Sequence, residues 1–293
     1  WAQLVIPDLG AVLAAAPAKE IWTGGILGFF WGIGGIMFGI SVGYIGVSLT
    51  YGIVMGLCSI AGALVPFVLR FDAIYPPSIP YILGGLVILA LAVYVVTVAG
   101  LKRDACLVER GQQLEGIKTG SEFRVGLIIA SVCGILSAML AVGFDNTVEI
   151  GRIAEEQGAI PRNTALARWV VVLVGAYLMN AGYAVVLLIK NRSFSSFGMK
   201  GTGSVVKWAV IAGLLWFAAL GTYGQGVALM GDIGTMICWP MMLGLSLIVS
   251  NVAAWFAGEW KGMKKPFQVL LLGVLLIIVA TILMSYASTL RVG

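Results

Sequence analysis

The sequence predicts an all-α polytopic membrane protein with about eight full spans and a helix stump. Three observations carry that prediction. Sixty per cent of the 293 residues are hydrophobic and 11 per cent charged, with a mean hydropathy of +1.02, well outside the range of ordinary globular domains. From Ile21 to Leu69 the chain runs 49 residues without a charged side chain, about twice the roughly 20 residues needed to cross a bilayer core. The basic residues stand in short loops between apolar runs, not in a patch or stripe, which gives them a topological role and argues against a nucleic-acid partner.

The first six residues, Trp1 to Ile6, read as the stump of a helix and suggest an amino-terminal truncation. The segment 7–20 reads as a loop. Two helices follow at about 22–44 and 46–69, with the turn at Gly43 to Gly46. Their glycines recur four apart in two rows, Gly24, Gly28, Gly32 and Gly35, Gly39, Gly43. In lipid, apolar side chains gain little by leaving the tails for one another, so small-residue rows that let backbones approach are a main route to tight helix packing. Pro76, Pro77 and Pro80 mark the next loop, and a span at about 81–101 ends at Lys102 and Arg103. Residues 102–124 are the most polar segment and read as a cytoplasmic linker. Further spans are expected at about 125–145, 168–189, 206–230, 235–257 and 266–288.

Counting loop Lys and Arg by alternating side puts 12 on the side of the 102–124 linker, including Arg110, and six on the other, including Arg168 and Arg291. The positive-inside rule makes the richer side cytoplasmic and the carboxyl terminus external. The layout divides into a first repeat over 1–101 and a second over 125–293. A charge-free glycine-rich pair at 22–69 answers a second pair at 206–257, and an odd number of spans per repeat would invert one relative to the other, as in many secondary transporters. The four cysteines show no metal-ligand spacing, three of them lie in apolar runs, and histidine is absent. Proton chemistry would therefore fall to carboxylates. No cofactor and no metal are expected.

The run Trp31-Gly32-Ile33-Gly34-Gly35-Ile36-Met37-Phe38-Gly39, then Gly43-Tyr44-Ile45-Gly46-Val47-Ser48 and Ala63-Leu64-Val65-Pro66, resembles the third and fourth helices of the L-rhamnose/proton symporter family, within the drug/metabolite transporter superfamily. Gly258-Glu259-Trp260-Lys261 and Lys264-Lys265-Pro266 look like the connection into that family's last helix. Asp145-Asn146, Asn180-Ala181-Gly182, Trp216, Tyr223 and Trp239 fall where it has an asparagine, an Asn-Leu-Gly-like turn and aromatics. The resemblance implies ten helices in two inverted five-helix repeats, an inner-membrane location, and uptake of a sugar coupled to protons. The chain departs from the family at Gly35 and Met37, where asparagine is expected, and at Gly43, where a basic residue is expected.

Asn146, Asn180, Gln225, Tyr223 and Tyr51 can both donate and accept hydrogen bonds, as a polyhydroxylated ligand requires; bonding between helices is the competing role. Trp31, Trp216 and Trp239 could stack on the apolar face of a sugar ring, or anchor at an interface. Trp22, Trp169, Trp208 and Trp260 sit at span ends and read as interfacial belt residues. Asp145, Glu149 and Arg152, spaced i, i+4 and i+7, would share one helical face. Asp145 and Glu149 are the proton-coupling candidates, with pKa values raised by partial burial, against a plain Glu149–Arg152 surface pair. Asp232 reads as a turn residue. The expected partners are a small polar substrate, protons and the bilayer. A metabolite exporter or facilitator of the same superfamily, a membrane-embedded transferase and a structural subunit are the alternatives; the transferase would need clustered catalytic acids or a metal site that the spacing does not provide.

Overall fold

The computed structural model describes residues 1–109 and 118–290. Arg110 and Arg291, counted above, lie outside the described residues, as does the middle of the 102–124 linker. Among the described residues the regular structure is helical: α1 (Ala2–Val5), α2 (Leu9–Ala15), α3 (Ala18–Ile45), α4 (Val47–Leu69), α5 (Ile79–Glu109), α6 (Gly120–Asp145), α7 (Val148–Glu156), α8 (Thr164–Lys190), α9 (Thr202–Met230), α10 (Gly234–Phe256) and α11 (Lys264–Thr289), with short 3-10 turns between several of them. Seven helical stretches are long and apolar enough to cross a membrane. One of these, Thr202–Phe256, holds both α9 and α10, joined by a 3-10 turn at Gly231–Ile233.

Three local expectations are corrected. The segment 7–20 contains α2, seven residues started by Asp8, whose carboxylate accepts from the Ala11 N–H at 3.0 Å. The turn after α3 is one residue, not four. Gly43 stays helical and Gly46, at φ 77° and ψ 167°, alone reverses the chain. That combination is open essentially only to glycine. The linker's flanks are helical too, with α5 running to Glu109 and α6 starting at Gly120.

The chain forms two compact units. The first comprises residues Trp1–Gly32 and Gly143–Gly231, and contains α1, α2, the first half of α3, and α7 to α9. One of its apolar clusters joins Ile6, Val12, Ile150, Ile153, Ala167 and Val171. Its tightest seam is between α3 and α8. A Cβ on Gly28 would stand 1.9 Å from the Val172 carbonyl oxygen, and one on Gly175 would stand 1.8 Å from that of Gly25. Gly24 faces Thr147 and Val171, and Gly32 faces Met179 and Asn180. The row Gly24, Gly28, Gly32 is therefore a close-contact surface, whereas a Cβ on Gly39 or Gly43 would meet nothing within 4 Å among the described residues. Close approach replaces the missing hydrophobic drive with dense van der Waals contact.

The second unit comprises Ile33–Val142 and Asp232–Gly293, with the second half of α3, α4, α5, most of α6, α10 and α11. Gly85 packs under Met284 and Gly273 under Val96, fixing α11 along α5. Leu89, Ala92, Val93, Leu247, Ile277 and Ala280 form a core between α5, α10 and α11. Polar side chains here bond to nearby backbone. Cys133 Sγ donates to the Gly34 carbonyl at 3.1 Å, Ser78 Oγ to that of Ala287 at 2.9 Å, and Ser41 Oγ to that of Gly126 at 3.3 Å. Where water is excluded an unmet polar group is costly, and these bonds remove that cost.

Candidate functional site

The Asp145–Arg152 region is built differently from a continuous helical face. Helix α6 ends at Asp145, residues 146–147 form a turn, and α7 starts at Val148, so Asp145 and Glu149 belong to different helices. Asp145 is buried, 4% exposed, and Arg168, one turn into α8, is buried with it at 6%. The Arg168 guanidinium donates from Nη2 to the Phe144 carbonyl at 2.6 Å and lies 3.8 Å from the centre of the Phe144 ring. The last carbonyls of a helix lack intrahelical donors and carry its negative end, so a cation there is favourable. Thr147 Oγ1 donates to the same carbonyl at 2.7 Å. Sequence reasoning had placed Arg168 among loop cations. The signal it missed is the cation's position one turn inside an apolar helix.

Glu149 is the surface residue of the pair. Helix α7 has nine residues, about 13 Å at 1.5 Å per residue, too short to cross a bilayer, and its outer face carries Glu149, Arg152 and Glu156. Arg152 Nε donates to Glu149 Oε2 at 2.8 Å, and its two terminal nitrogens reach Glu149 and Glu156. The Arg152 guanidinium holds the Glu149 carboxyl below its ordinary range. The expected upward shift at Glu149 is thus overturned, because a bonded cation favours the ionised form. The amino-terminal N–H groups of α7 are met instead by Glu20, whose carboxylate accepts from Glu149 N at 3.3 Å and Ile150 N at 3.2 Å.

Of the eight expected sugar-contact residues, six lie in the first unit. Trp31 and Trp216 stack on one another, 5.4 Å between ring centres and 23° between planes. Asn180 stands beside Gly32 and donates from Nδ2 to the Ala176 carbonyl at 2.9 Å. Tyr223 is buried among aromatics, with its ring centre 5.6 Å from that of Phe144 and 5.9 Å from that of Trp169. Gln225 Nε2 donates to Asn163 Oδ1 at 3.2 Å, and Asn146 sits, half-buried, in the turn after α6.

Trp169 is not a belt residue. It is fully buried, stacked on Phe144 at 4.4 Å, and donates from Nε1 to the Leu220 carbonyl at 3.0 Å. Trp260 is likewise buried, 5% exposed, while Trp22 and Trp208 are open. Asp232 is exposed within the 3-10 turn that separates α9 from α10.

Tyr51 and Trp239 belong to the second unit. Trp239 is buried against Gly62 and donates from Nε1 to the Cys58 carbonyl at 3.1 Å, a structural role. Tyr51 lines a cavity of about 520 Å³ between α4, α5 and α10, with Ser48, Thr97, Arg103, Asn251, Glu259 and Trp260 among its other walls. Gly52 and Gly100 bring α4 and α5 together there: a Cβ on Gly52 would collide with Thr97, 2.0 Å from its Oγ1, and one on Gly100 would press on Ser48 at 3.2 Å. Arg103, Asn251, Glu259 and Trp260 were not among the expected contacts, because they meet from stretches about 150 residues apart. No group of His, Cys, Asp or Glu among the described residues could hold a metal ion.

Residues 1–288 match the L-rhamnose-proton symport protein family, RhaT. Among curated proteins, the L-rhamnose-proton symporter of Yersinia pestis (strain Pestoides F) is 27% identical over 289 residues, covering 94% of this chain and 81% of the relative. That of Cronobacter sakazakii is 29% identical over 288 residues, with the same coverage of each chain. No solved structure matches the chain. A family match over nearly the whole length, on a helical membrane-type architecture, makes this chain a member of the L-rhamnose-proton symport protein family.

Proposed function

We propose that the protein takes up a neutral sugar of the L-rhamnose kind together with protons, by alternating access across the inner membrane. The observation that carries this reading is the family match over residues 1–288, joined by relatives named L-rhamnose-proton symporter along 94% of the chain. The protein is a carrier, not an enzyme. Asp145 is the proton-carrying group in this reading, since it is the one carboxylate among the described residues that is buried, whereas Glu149 lies on the surface and is held ionised by Arg152. Tyr51 is the expected sugar-contact residue that lines a cavity in the second unit; within the first unit, taken by itself, the Trp31–Trp216 pair and Asn180 are the groups offered to a sugar. Asn146, Tyr223, Gln225 and Trp239 support the helices around them.

The reading includes eight crossings. The Thr202–Phe256 stretch has 55 residues, about 80 Å of helix against a hydrocarbon core of about 30 Å, and its 3-10 turn gives a place to reverse. The spans then divide into a first repeat over 1–101 and an inverted second repeat over 125–293, around the 102–124 linker. The linker and the loops holding Lys190, Arg192, Lys200, Lys261, Lys264 and Lys265 face the cytoplasm, and the carboxyl terminus lies outside.

Purified protein in proteoliposomes tests the reading. Uptake of labelled L-rhamnose should rise several-fold with an inward proton gradient. A panel of sugars showing no transport with or without the gradient would overturn it. Asp145→Asn should abolish gradient-driven accumulation while leaving sugar exchange, and Glu149→Gln should leave both intact. Full accumulation by Asp145→Asn would remove the proton role from Asp145.

A further inference from the structure

We infer that the cavity beside Tyr51 is a sugar site, built to take a neutral polyol and to refuse an anion, and that Trp260 and Asn251 are its specificity-determining contacts. The inference rests on the sugar-uptake reading and adds the place and chemistry of binding. The cavity volume, about 520 Å³, lies within the roughly 300–1,000 Å³ of ordinary small-molecule sites.

The walls offer donors and acceptors in mixed order. Thr97 Oγ1 donates to the Val93 carbonyl at 2.7 Å and Ser250 Oγ to that of Leu247 at 3.0 Å, so both hydroxyls have their protons engaged and keep lone pairs with which to accept. Asn251 spends one N–H on the Leu247 carbonyl at 2.8 Å, leaving an amide oxygen and a second N–H. Arg103 engages Glu259 Oε2 through Nη1 at 2.8 Å and Asp104 Oδ1 through Nε and Nη2 at 3.3 Å, with N–H groups to spare. Every hydroxyl of a sugar both donates and accepts, and this is a surface that can answer both halves.

Trp260 supplies the second observation. It walls the cavity, it is buried, and its Nε1–H has no hydrogen-bond partner among the described residues. Buried indole N–H groups are ordinarily bonded, and an unmet one beside a cavity points to a ligand acceptor. The Arg103 guanidinium lies 5.4 Å from the Trp260 ring centre, which holds the ring in place. Charge then selects the ligand class. The Arg103 guanidinium is paired with two carboxylates, Glu259 on the same wall and Asp104 beside it in sequence, so the wall carries no uncompensated positive charge with which to hold an acid sugar. The cavity stands where α5 carries Lys102 and Arg103, the end of the second unit that the basic loops assign to the cytoplasm, so the site is where sugar is released inward.

The test uses the full chain in proteoliposomes, with L-rhamnose and L-rhamnonate as probes. Trp260→Phe keeps an aromatic ring but removes the N–H together with the pyrrole half of the indole; it should raise the KM for L-rhamnose about 3- to 10-fold, at least the worth of one hydrogen bond. Asn251→Leu should raise it by at least as much, and Trp208→Phe, an exposed position, should leave it unchanged. L-rhamnonate should compete at least tenfold more weakly than L-rhamnose. Should a variant fold poorly, Ser250→Cys in a Cys106→Ser/Cys238→Ser background, which leaves only the buried Cys58 and Cys133, gives a second measurement, since saturating L-rhamnose should slow maleimide labelling at least threefold. Wild-type uptake with unchanged KM in both variants, or labelling indifferent to the sugar, would overturn the site while leaving sugar uptake standing. Absence of sugar uptake by the wild type would instead overturn the reading beneath it.

Discussion

Gly25, Gly28 and Gly175 offer a test of the α3–α8 seam in which neighbouring glycines should answer oppositely. An alanine Cβ at position 28 would sit 1.9 Å from the Val172 carbonyl oxygen, and one at 175 would sit 1.8 Å from that of Gly25. Both obstacles are backbone, so no side chain can swing aside. Ordinary contact begins near 3.4 Å, which requires the helices to part by about 1.5 Å and to give up much of the dispersion contact along the seam. Gly28→Ala and Gly175→Ala should each cost about 1–3 kcal/mol, the usual cost of overpacking. Gly25→Ala meets nothing within 4 Å and should be neutral or stabilising by up to about 1 kcal/mol, since alanine is the better helix former. The double variant Gly28→Ala/Gly175→Ala should cost little more than the worse single one, because one parting of the helices relieves both clashes. Equilibrium denaturant unfolding in detergent, with melting temperature as a second readout, measures all four. Equal stabilities for Gly25→Ala and Gly28→Ala, or additive losses in the double variant, would refute the reasoning.

Gly46→Ala should destabilise by about 1–3 kcal/mol, since φ 77° with ψ 167° is closed to a residue with a Cβ; a melting curve matching the wild type would show that the turn can re-form another way. Trp239→Phe should cost about 1–3 kcal/mol by deleting the indole's bond to the Cys58 carbonyl and leaving a void beside Gly62, while the KM for sugar stays within twofold in uptake assays. Arg168→Lys should lower stability by about 1–3 kcal/mol despite keeping the charge, because an ammonium cannot both reach the Phe144 carbonyl and lie flat on the Phe144 ring; full stability by unfolding would count against the stacked geometry.

The helical architecture was legible because charges punctuate long apolar runs, and the Gly24, Gly28, Gly32 row announced close packing. What the row could not announce was its partner: Gly175 is one of two glycines in α8, seven residues from Gly182 and in no row of its own, and reciprocity appears only when two backbones meet. Helix α2 escaped notice because seven residues between Pro7 and Pro17 are too few to show a period. The break after Asp145 escaped because Asn146 and Thr147 are weak breakers, so i, i+4 spacing was read through a turn. Arg168 was misread for a different reason. Counting cations along the chain ignores that a helix carboxyl end can draw one inward. The Tyr51 cavity was beyond reach for the same kind of cause, since its polar walls come from α4, α5, α10 and the segment after it. Single residues such as Ser48 or Asn251 look ordinary until those segments converge.

The one-residue reversal at Gly46 also sets what evolution and engineering can do at that point. With α3 ending at Ile45 and α4 starting at Val47, there is no slack to absorb an inserted residue, a tag or a protease site. Helices α3 and α4 are spliced like the two arms of a hairpin, so any displacement of the start of α4, where Ser48 and Tyr51 face the cavity, is transmitted at once to the end of α3. Sequence gaps among relatives should avoid this joint, and a crosslink or fluorophore placed on either arm will report the motion of both.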